Sequence, residues 1–317
     1  MPTTDLVMLG CDQYALLDSG DGAKLELIGG LRVVRPCVQA CWPRRSPPAE
    51  WQRVDAQCER TSDGGGRWRE GKATPRPAPL DWTGPQGRIR ATMQFTNFGH
   101  CGVFFEQMVL WQWLQEQVAL VGNGSKALNL FGYTGCASLA MAAAGATVFH
   151  VDSAKGVLRW GQENQRLSDL PAERIRWVQE DVRAFVRFNR KRGFRYQVIY
   201  ADPPAWGHGA GQERWQFESH VAELVGDLGE LLDPEYGVLL LSCHTPGVQR
   251  EAMVNLQAAG ENLQPRLAGE LGVAHAADRR ILPAGLYAIA SRPGAPLAAL
   301  PVDAEGQAAL TGGTVQR

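Results

Sequence analysis

A glycine-containing turn stands out in the middle of this 317-residue sequence. An apolar run from Ala127 to Phe131 leads into Gly132 and Gly135, and a helical stretch of small residues follows at once. Glycines let a backbone turn sharply and approach a ligand, and a helix N-terminus offers unpaired N–H donors. This strand–turn–helix pattern is typical of nucleotide-binding α/β proteins, although many cofactors use it.

Two carboxylates follow at the ends of the next two predicted strands. Asp152, followed by Ser153, comes one βα unit after the glycine turn, where an acid can accept hydrogen bonds from ribose hydroxyls. Asp181, followed by Val182, comes at the end of the third strand. An acid at this position commonly accepts a hydrogen bond from an adenine amino group. Each aspartate has an alternative role as a helix N-cap. The spacing of Asp152 from the turn favours ligand contact.

A third carboxylate begins the run Asp202-Pro203-Pro204-Ala205-Trp206, at the end of the fourth predicted strand. Ligands in open α/β sheets bind beyond the carboxyl ends of the strands. The two prolines restrict the backbone and remove two N–H donors, which suits a loop that holds a substrate group. We therefore expect Asp202 to face a ligand, with Pro203, Pro204 and Trp206 beside the substrate.

The elements around these residues alternate between strands and helices from residue 127 onwards. This alternation predicts an α/β domain with a parallel sheet covered on both faces. Two further strands, near 264–270 and 285–291, are predicted to finish the sheet, the last as an antiparallel edge. We predict a β-rich appendage over 1–95, the α/β domain over 96–292 and a tail over 293–317.

Composition excludes several classes of protein. Hydrophobic residues make up 44% of the chain, but no apolar run approaches the ~20 residues of a membrane helix. Seven scattered cysteines indicate reduced thiols and a cytoplasmic protein, and no metal site is predicted because Cys37 and Cys41 lack further ligands. The net charge of −1 makes binding of nucleic acid by phosphate contacts alone less favourable. A monomer or a homodimer is expected.

The motifs resemble those of class I S-adenosylmethionine-dependent methyltransferases, over about residues 96–292. The resemblance is greater to bacterial 23S rRNA cytosine-C5 methyltransferases. They share the turn seen here as Asn129–Gly135, the acidic strand end, the Asp-Pro-Pro loop and a Ser-Cys-Ser motif that is Ser242-Cys243-His244 in this chain. Their G-x-x-x-D/E-Q segment matches 102–107. The resemblance implies a Rossmann-like, seven-stranded methyltransferase sheet. It does not cover the small β-rich N-terminal domain predicted over 1–95.

The resemblance also implies a role for each motif, with S-adenosyl-L-methionine as the cofactor. The turn would hold the methionine moiety, Asp152 and Ser153 the ribose, and Asp181 and Val182 the adenine. The turn residues implied in cofactor binding are Phe131, Gly132, Tyr133, Thr134 and Gly135, with Asp202 completing the cofactor site.

The acceptor implied by the resemblance is RNA, at carbon 5 of a cytosine. Cys243 would add to carbon 6 as a thiolate while Asp202 holds the N3 edge of the base; the alternative for Cys243 is a buried structural thiol. His100 is a further candidate for substrate contact. Competing functions are N-methylation of a base or small molecule, a protein acceptor, and a non-catalytic module that binds the cofactor. A dehydrogenase would share the glycine turn but has no need of Asp202-Pro203-Pro204.

Overall fold

The computed structural model of the protein describes residues 3–61, 65–71, 74–208 and 214–301. Its first part consists mainly of strands, which are joined by short turns. In chain order the elements are β1 (Leu6–Met8), β2 (Tyr14–Gly20), β3 (Ala23–Ile28), β4 (Leu31–Pro36), α1 (Pro48–Gln52), β5 (Ala56–Arg60), β6 (Gly66–Glu70), β7 (Leu80–Gly84) and β8 (Gly87–Ala91).

Strands β2 to β6 form a five-stranded sheet in sequential order, as expected for a β-rich appendage. Asp21 and Gly22 connect β2 to β3 with φ angles of 52° and 74°. Positive φ at both central residues is what a two-residue hairpin turn requires, and Asp-Gly tolerates it well. The β7–β8 hairpin is separate from this sheet and contacts the helices of the following domain.

The second part alternates strands and helices, as predicted from the sequence. Its elements are α2 (Met108–Val121), β9 (Lys126–Leu130), α3 (Cys136–Ala143), β10 (Thr147–Asp152), α4 (Lys155–Leu167), β11 (Ile175–Gln179), α5 (Val182–Lys191), β12 (Val198–Ala201), β13 (Trp206–His208), β14 (Arg214–Gln216), α6 (Phe217–Leu231), β15 (Val238–Cys243), α7 (Arg250–Ala258), β16 (Gln264–Ala274) and β17 (Ile281–Ser291).

The main sheet has the order β1-β16-β17-β15-β12-β9-β10-β11 within the described residues. The seven strands from β9 onwards confirm the predicted Rossmann-like sheet, and β9, β10, β11, β12 and β15 run parallel to their neighbours of that set. The eighth strand was not predicted. It is β1, which pairs in parallel with β16. The first residues thus join the main sheet, so the appendage predicted over 1–95 is not a separate unit throughout.

The position of β17 differs from the expectation. It is antiparallel as predicted, but it lies between β15 and β16 and is not an edge strand. Its residues 287–291 are all buried. A strand with buried backbone on both sides must pair with two neighbours, because unpaired backbone N–H and C=O groups are costly to bury. Because β17 lies between two strands, the backbone N–H and C=O groups along both of its edges can form hydrogen bonds.

The sheet separates two hydrophobic layers. Alternate residues of β15 show the division: Leu240 packs with α2 and α3, whereas Leu239 and Leu241 pack with α6. Side chains of a strand point alternately to opposite faces, so this register fixes which face each following residue meets. Among the described residues, no helix combines the length and apolar character needed to span a membrane.

The described part of the tail packs on α2. The indole N–H of Trp113 donates to the carbonyl of Ala298 at 3.1 Å, and the Gln117 amide donates to the carbonyl of Pro296 at 3.0 Å. Residues 302–317 of the predicted tail lie outside the described residues.

Candidate active site

The turn between β9 and α3 has a strained backbone. Phe131 and Tyr133 have left-handed φ angles of 56° and 50°, although neither is glycine. A Cβ atom at Gly132 would lie 2.4 Å from Cε1 of His150, and Gly135 has a φ of 89°. Such strain costs about 1–3 kcal/mol per residue and is concentrated at functional sites. The structure therefore requires glycine at both positions that the sequence singled out.

Asp152 lies at the end of β10 and supports this turn. Its Oδ2 accepts a 3.0 Å hydrogen bond from the backbone N–H of Tyr133, and its Oδ1 accepts a 2.9 Å bond from that of Ala154. Loss of hydration raises the pKa of the Asp152 carboxyl, and the two N–H donors oppose this shift. Each oxygen has a second lone pair, so the carboxylate can still accept hydrogen bonds from hydroxyl groups of a ligand.

Asp181 is the N-cap of α5, which was the alternative to a ligand contact. Its Oδ1 accepts a 3.0 Å hydrogen bond from the backbone N–H of Ala184. The cap uses one of the two carboxylate oxygens. Asp181 and Val182 nevertheless line the same cavity as Asp152 and Ser153.

Asp202 follows β12 and is held by groups from two other elements. Gln107, next to the start of α2, donates from Nε2 to Asp202 Oδ2 at 2.7 Å. Ser242 on β15 donates from Oγ to Asp202 Oδ1 at 2.5 Å and lies 3.0 Å from the hydroxyl of Tyr200. These contacts fix the direction of the carboxylate. They leave it half-buried at the edge of the cavity.

His244 completes this group, and its contacts define its tautomer. Its Nδ1 lies 2.7 Å from the carbonyl of Ala284, which can only accept, so Nδ1 carries a proton. In the neutral ring Nε2 is then an acceptor, and it lies 3.3 Å from the Gln107 amide nitrogen. Nε2 is also 3.6 Å from Asp202 Oδ1. A protonated His244 would therefore place a second donor beside the Asp202 carboxylate.

One cavity of about 560 Å³ joins these parts. Its carboxylates are Asp152, Asp181 and Asp202, and its lining is otherwise mostly aromatic. The aromatic lining consists of Phe98, His100, Phe104, Phe131, Tyr133, Trp206, Trp215 and His244. A cavity of this size, with apolar walls and a few convergent polar groups, suits a small organic ligand.

Most predicted site residues meet at this cavity. Ser153, Val182, Pro203 and Pro204 line it together with the groups named above. Gly132 and Thr134 line an adjoining recess that shares Phe131, Tyr133 and Asp202 with the cavity. Gly135 lines neither. It is the N-cap of α3, and a Cβ there would lie 2.7 Å from the Trp177 ring.

Cys243, predicted to be either a catalytic thiolate or a buried structural thiol, does not line this cavity. It follows Leu241 on the opposite face of β15 from Ser242, is 1% exposed and packs in the apolar layer beneath α6. Burial raises the pKa of its thiol, which disfavours the thiolate. Strand alternation is the physical reason: Ser242 and His244 face Asp202, and the residue between them faces away.

His100 and Trp206, which were predicted to contact the substrate, both line the cavity. The His100 ring makes edge contacts with Phe104 and Tyr133, at centroid distances of 5.1 and 6.4 Å. Partial loss of hydration, followed by the charges of Arg35 and Lys24, lowers the pKa of His100 to about 4, so the ring is neutral at pH 7. Trp206 is 63% exposed at the cavity.

Four residues of the site were absent from the predicted set: Gln107, Ser242, His244 and Phe104. Gln107 and Phe104 lie in the segment 102–107, and Ser242 and His244 lie in the Ser-Cys-His motif. Both motifs were visible in the sequence. The missing information was which side chain of each motif turns towards Asp202.

Solved structures resemble this one over most of the chain. The S-adenosylmethionine-dependent methyltransferase of Agrobacterium tumefaciens is 36% identical, with a TM-score of 0.82 over 90% of this chain and 93% of that one. A putative methyltransferase of Streptococcus mutans has a TM-score of 0.67 over 88% of this chain and 75% of its own. At 16% identity, the second similarity concerns the fold alone.

Among curated proteins, the chain is similar to ribosomal RNA large subunit methyltransferase K/L. The protein of Shewanella frigidimarina is 30% identical over 152 residues, which are 47% of this chain and 20% of that protein. The protein of Legionella pneumophila strain Lens is 25% identical over 182 residues, which are 57% of this chain and 25% of that protein. The aligned part of this chain therefore spans at most about a quarter of these relatives.

A family model described as S-adenosylmethionine-dependent methyltransferase matches residues 66–269, which is more than half of the chain. The matched range contains the strained turn, the three cavity carboxylates and the Asp-Pro-Pro loop. Together with the similarity to the Agrobacterium enzyme, this shows that the chain belongs to the family of S-adenosylmethionine-dependent methyltransferases.

Proposed function

We propose that this enzyme methylates a nitrogen of a nucleobase in RNA. The observation that carries the proposal is the aromatic cavity beside Asp202: it offers flat apolar walls for a planar ring and one fixed carboxylate at its edge. The similarity to rRNA methyltransferases over part of their length supports RNA as the acceptor class.

The residues around the strained turn fit the cofactor. Asn129 lines the recess beside Gly132, and its Oδ1 is buried without a hydrogen-bond partner among the described residues. A buried acceptor left unpaired costs about 1–3 kcal/mol, so a donor on the ligand, such as the ammonium group of the methionine moiety, would satisfy it. In this proposal Asp152 and Ser153 hold the ribose, and Asp181 and Val182 contact the adenine.

The cofactor supplies an electrophilic methyl group on a sulfonium. Gly132, Asp152 and Asp181 would hold the cofactor so that its methyl carbon is open to in-line attack by the acceptor nitrogen, with an N–C bond replacing the C–S bond and S-adenosylhomocysteine as the leaving group. The protein positions the acceptor, which supplies much of the rate in such a displacement. Asp202 accepts a hydrogen bond from the N–H group of the base, which aims the nitrogen lone pair and receives or relays its proton.

Two exposed aromatic residues favour a polymer over a small molecule as the acceptor. Phe98 is 71% exposed and Trp206 is 63% exposed, and both line the cavity. Base stacking on an aromatic side chain contributes about 1–3 kcal/mol per base in single-stranded nucleic acids. In this proposal, Phe98 and Trp206 stack on the bases next to the one that enters the cavity.

Carbon 5 of cytosine is the competing acceptor atom. It is a weak nucleophile and requires a thiolate that adds to the ring. Cys243 is turned away from Asp202, and no cysteine lines the 560 Å³ cavity within the described part of the chain. Asp202, which Gln107 and Ser242 hold at the edge of the cavity, suits a nitrogen acceptor better.

The test is incubation with methyl-labelled S-adenosylmethionine and total RNA, protein and metabolite fractions from a bacterial extract. We expect label in RNA, released on digestion as an N-methylated nucleoside, and at least a 100-fold loss with Asp202→Asn. Label in 5-methylcytidine would favour the carbon mechanism. Label in protein or metabolites, with none in RNA, would overturn the proposal.

A further inference from the structure

A second cavity of about 190 Å³ opens between the N-terminal sheet and the loop that precedes α2. Three cationic side chains line it: Lys24 on β3, Arg35 on β4 and Arg60 at the end of β5. Phe98, His100 and Phe104 line both this cavity and the larger one. A ligand that fills the larger cavity can therefore extend directly into the basic one.

The charges of this cavity leave a positive excess. Glu26 is fully buried behind it and pairs with Arg35 at 2.6 Å and with Lys24 at 3.0 Å. Glu106 is the carboxylate among the described lining residues, so three cations face two anions in the described part of the chain. Arg60 is exposed and makes no ion pair within the described residues. It is thus the cation that is available to an incoming anion.

Arg35 connects the basic cavity to the wall of the active site. Arg35 donates from Nε and Nη2 to Glu26. Its Nη1 donates to the carbonyl of Gly99 at 3.2 Å. Gly99 lies between Phe98 and His100, which form part of the larger cavity. The positive charges of Arg35, Lys24 and Arg60 all contribute, after loss of hydration, to the lowered pKa of His100. The positive potential therefore extends to the boundary between the two cavities.

We infer that the basic cavity binds a backbone phosphate of the RNA, adjacent to the base that enters the larger cavity. Arg60 and Lys24 donate to the phosphate oxygens, while Arg35 holds the loop. The inference rests on the proposed function, because it assumes an RNA acceptor. It gives the N-terminal sheet a role in substrate binding that the family similarity does not assign to it.

The test measures binding of a labelled single-stranded RNA of 12 nucleotides by fluorescence anisotropy, at several salt concentrations and with S-adenosylhomocysteine present. A lost phosphate contact reduces the slope of log K against log salt by about 0.7 for single strands. We expect this reduction, with about 3- to 10-fold weaker binding, for Arg60→Gln, and a larger loss for Lys24→Gln combined with Arg60→Gln.

The matched control is Arg67→Gln. Arg67 is exposed on β6, next to Gly66, which pairs with Arg60, so its side chain points to the other face of the strand pair. The phosphate site is refuted if Arg60→Gln keeps the wild-type slope, or if Arg67→Gln lowers it equally. If the wild type binds and methylates RNA but Arg60→Gln keeps the wild-type salt slope, only this inference is refuted. Failure of the wild type to bind RNA refutes the proposed function with it.

Discussion

The side-chain amide of Gln107 donates a 2.7 Å hydrogen bond to Asp202, 95 positions along the chain. The same amide nitrogen lies 3.3 Å from Nε2 of His244. Gln107 thus joins the start of α2 to the ends of two central strands. It orients the carboxylate that faces the proposed acceptor and contacts the His244 ring beside it.

Gln107→Glu is expected to lower methyl transfer at least tenfold at pH 7. The substitution places a carboxyl group beside Asp202, and two neighbouring carboxylates favour protonation of one of them. Because Asp202 must be an anion in the proposed mechanism, the acidic limb of the pH–rate profile should move to higher pH. Gln112→Glu, on α2 and lining neither the cavity nor its recess, is the control and should keep the wild-type profile.

Cys243→Ala is expected to keep methyl transfer within about twofold of wild type. The thiol packs in the apolar layer, so the change should appear as a loss of about 1 kcal/mol in the free energy of unfolding. Denaturant titration and a transfer assay check the two quantities. Abolished transfer with unchanged cofactor binding would restore the thiolate mechanism.

Gly135→Ala is expected to destabilise the protein and to weaken binding of S-adenosylmethionine at least tenfold. An L-residue at φ 89° costs about 1–2 kcal/mol, and the added Cβ would also press on Trp177, beside the turn. Gly193→Ala is the control, since its φ is 68° and its Cβ would meet no atom within 4 Å. Calorimetry should show normal cofactor affinity for the control.

Trp206→Ala is expected to weaken RNA binding by about 1–3 kcal/mol through loss of stacking. Phe188→Ala tests whether loss of any exposed aromatic side chain weakens RNA binding. Phe188 is 55% exposed on α5 and does not line the cavity. Anisotropy titrations of both variants should separate them. Equal losses would contradict a specific role for Trp206.

His150 is expected to make stability depend on pH. It is fully buried, its Nδ1 lies 2.9 Å from Ser138 Oγ, and burial lowers its pKa to about 3. Below the unfolded-state pKa of about 6.5 the unfolded chain binds the proton and the folded chain does not. Stability from this group is therefore full above pH 6.5 and falls by about 1.4 kcal/mol per unit as the pH drops towards 3.

The measurement is the free energy of unfolding of wild type and His150→Gln at pH 7, 6 and 5. The fall in stability of the variant should be smaller than that of wild type by about 0.7 kcal/mol from pH 7 to 6 and by about 1.2 kcal/mol from pH 6 to 5. Val148→Ala, on the same strand, should lower stability without changing the slope. An unchanged slope in His150→Gln would mean that this histidine does not carry the dependence.

Most of the sheet, and the meeting of the glycine turn and the three carboxylates at one edge of it, were predictable from local sequence. The glycine turn, the acid at the end of β10 and the Asp202-Pro203-Pro204 loop lie directly after their strands, so the parallel arrangement alone brings them to one edge. The predicted alternation of strands and helices agrees with the structure because these elements have apolar runs of the appropriate length and period.

The acceptor side of the site was decided by tertiary structure. The Ser-Cys-His motif was visible, but the register of β15 determined that Ser242 and His244 meet Asp202 while Cys243 enters the core. Gln107 reaches Asp202 only because α2 packs across the sheet, and the basic cavity exists only because the N-terminal sheet rests against the loop of Gly99. Local sequence specifies which residues end a strand, whereas side-chain direction and contacts between distant segments depend on how the whole chain packs.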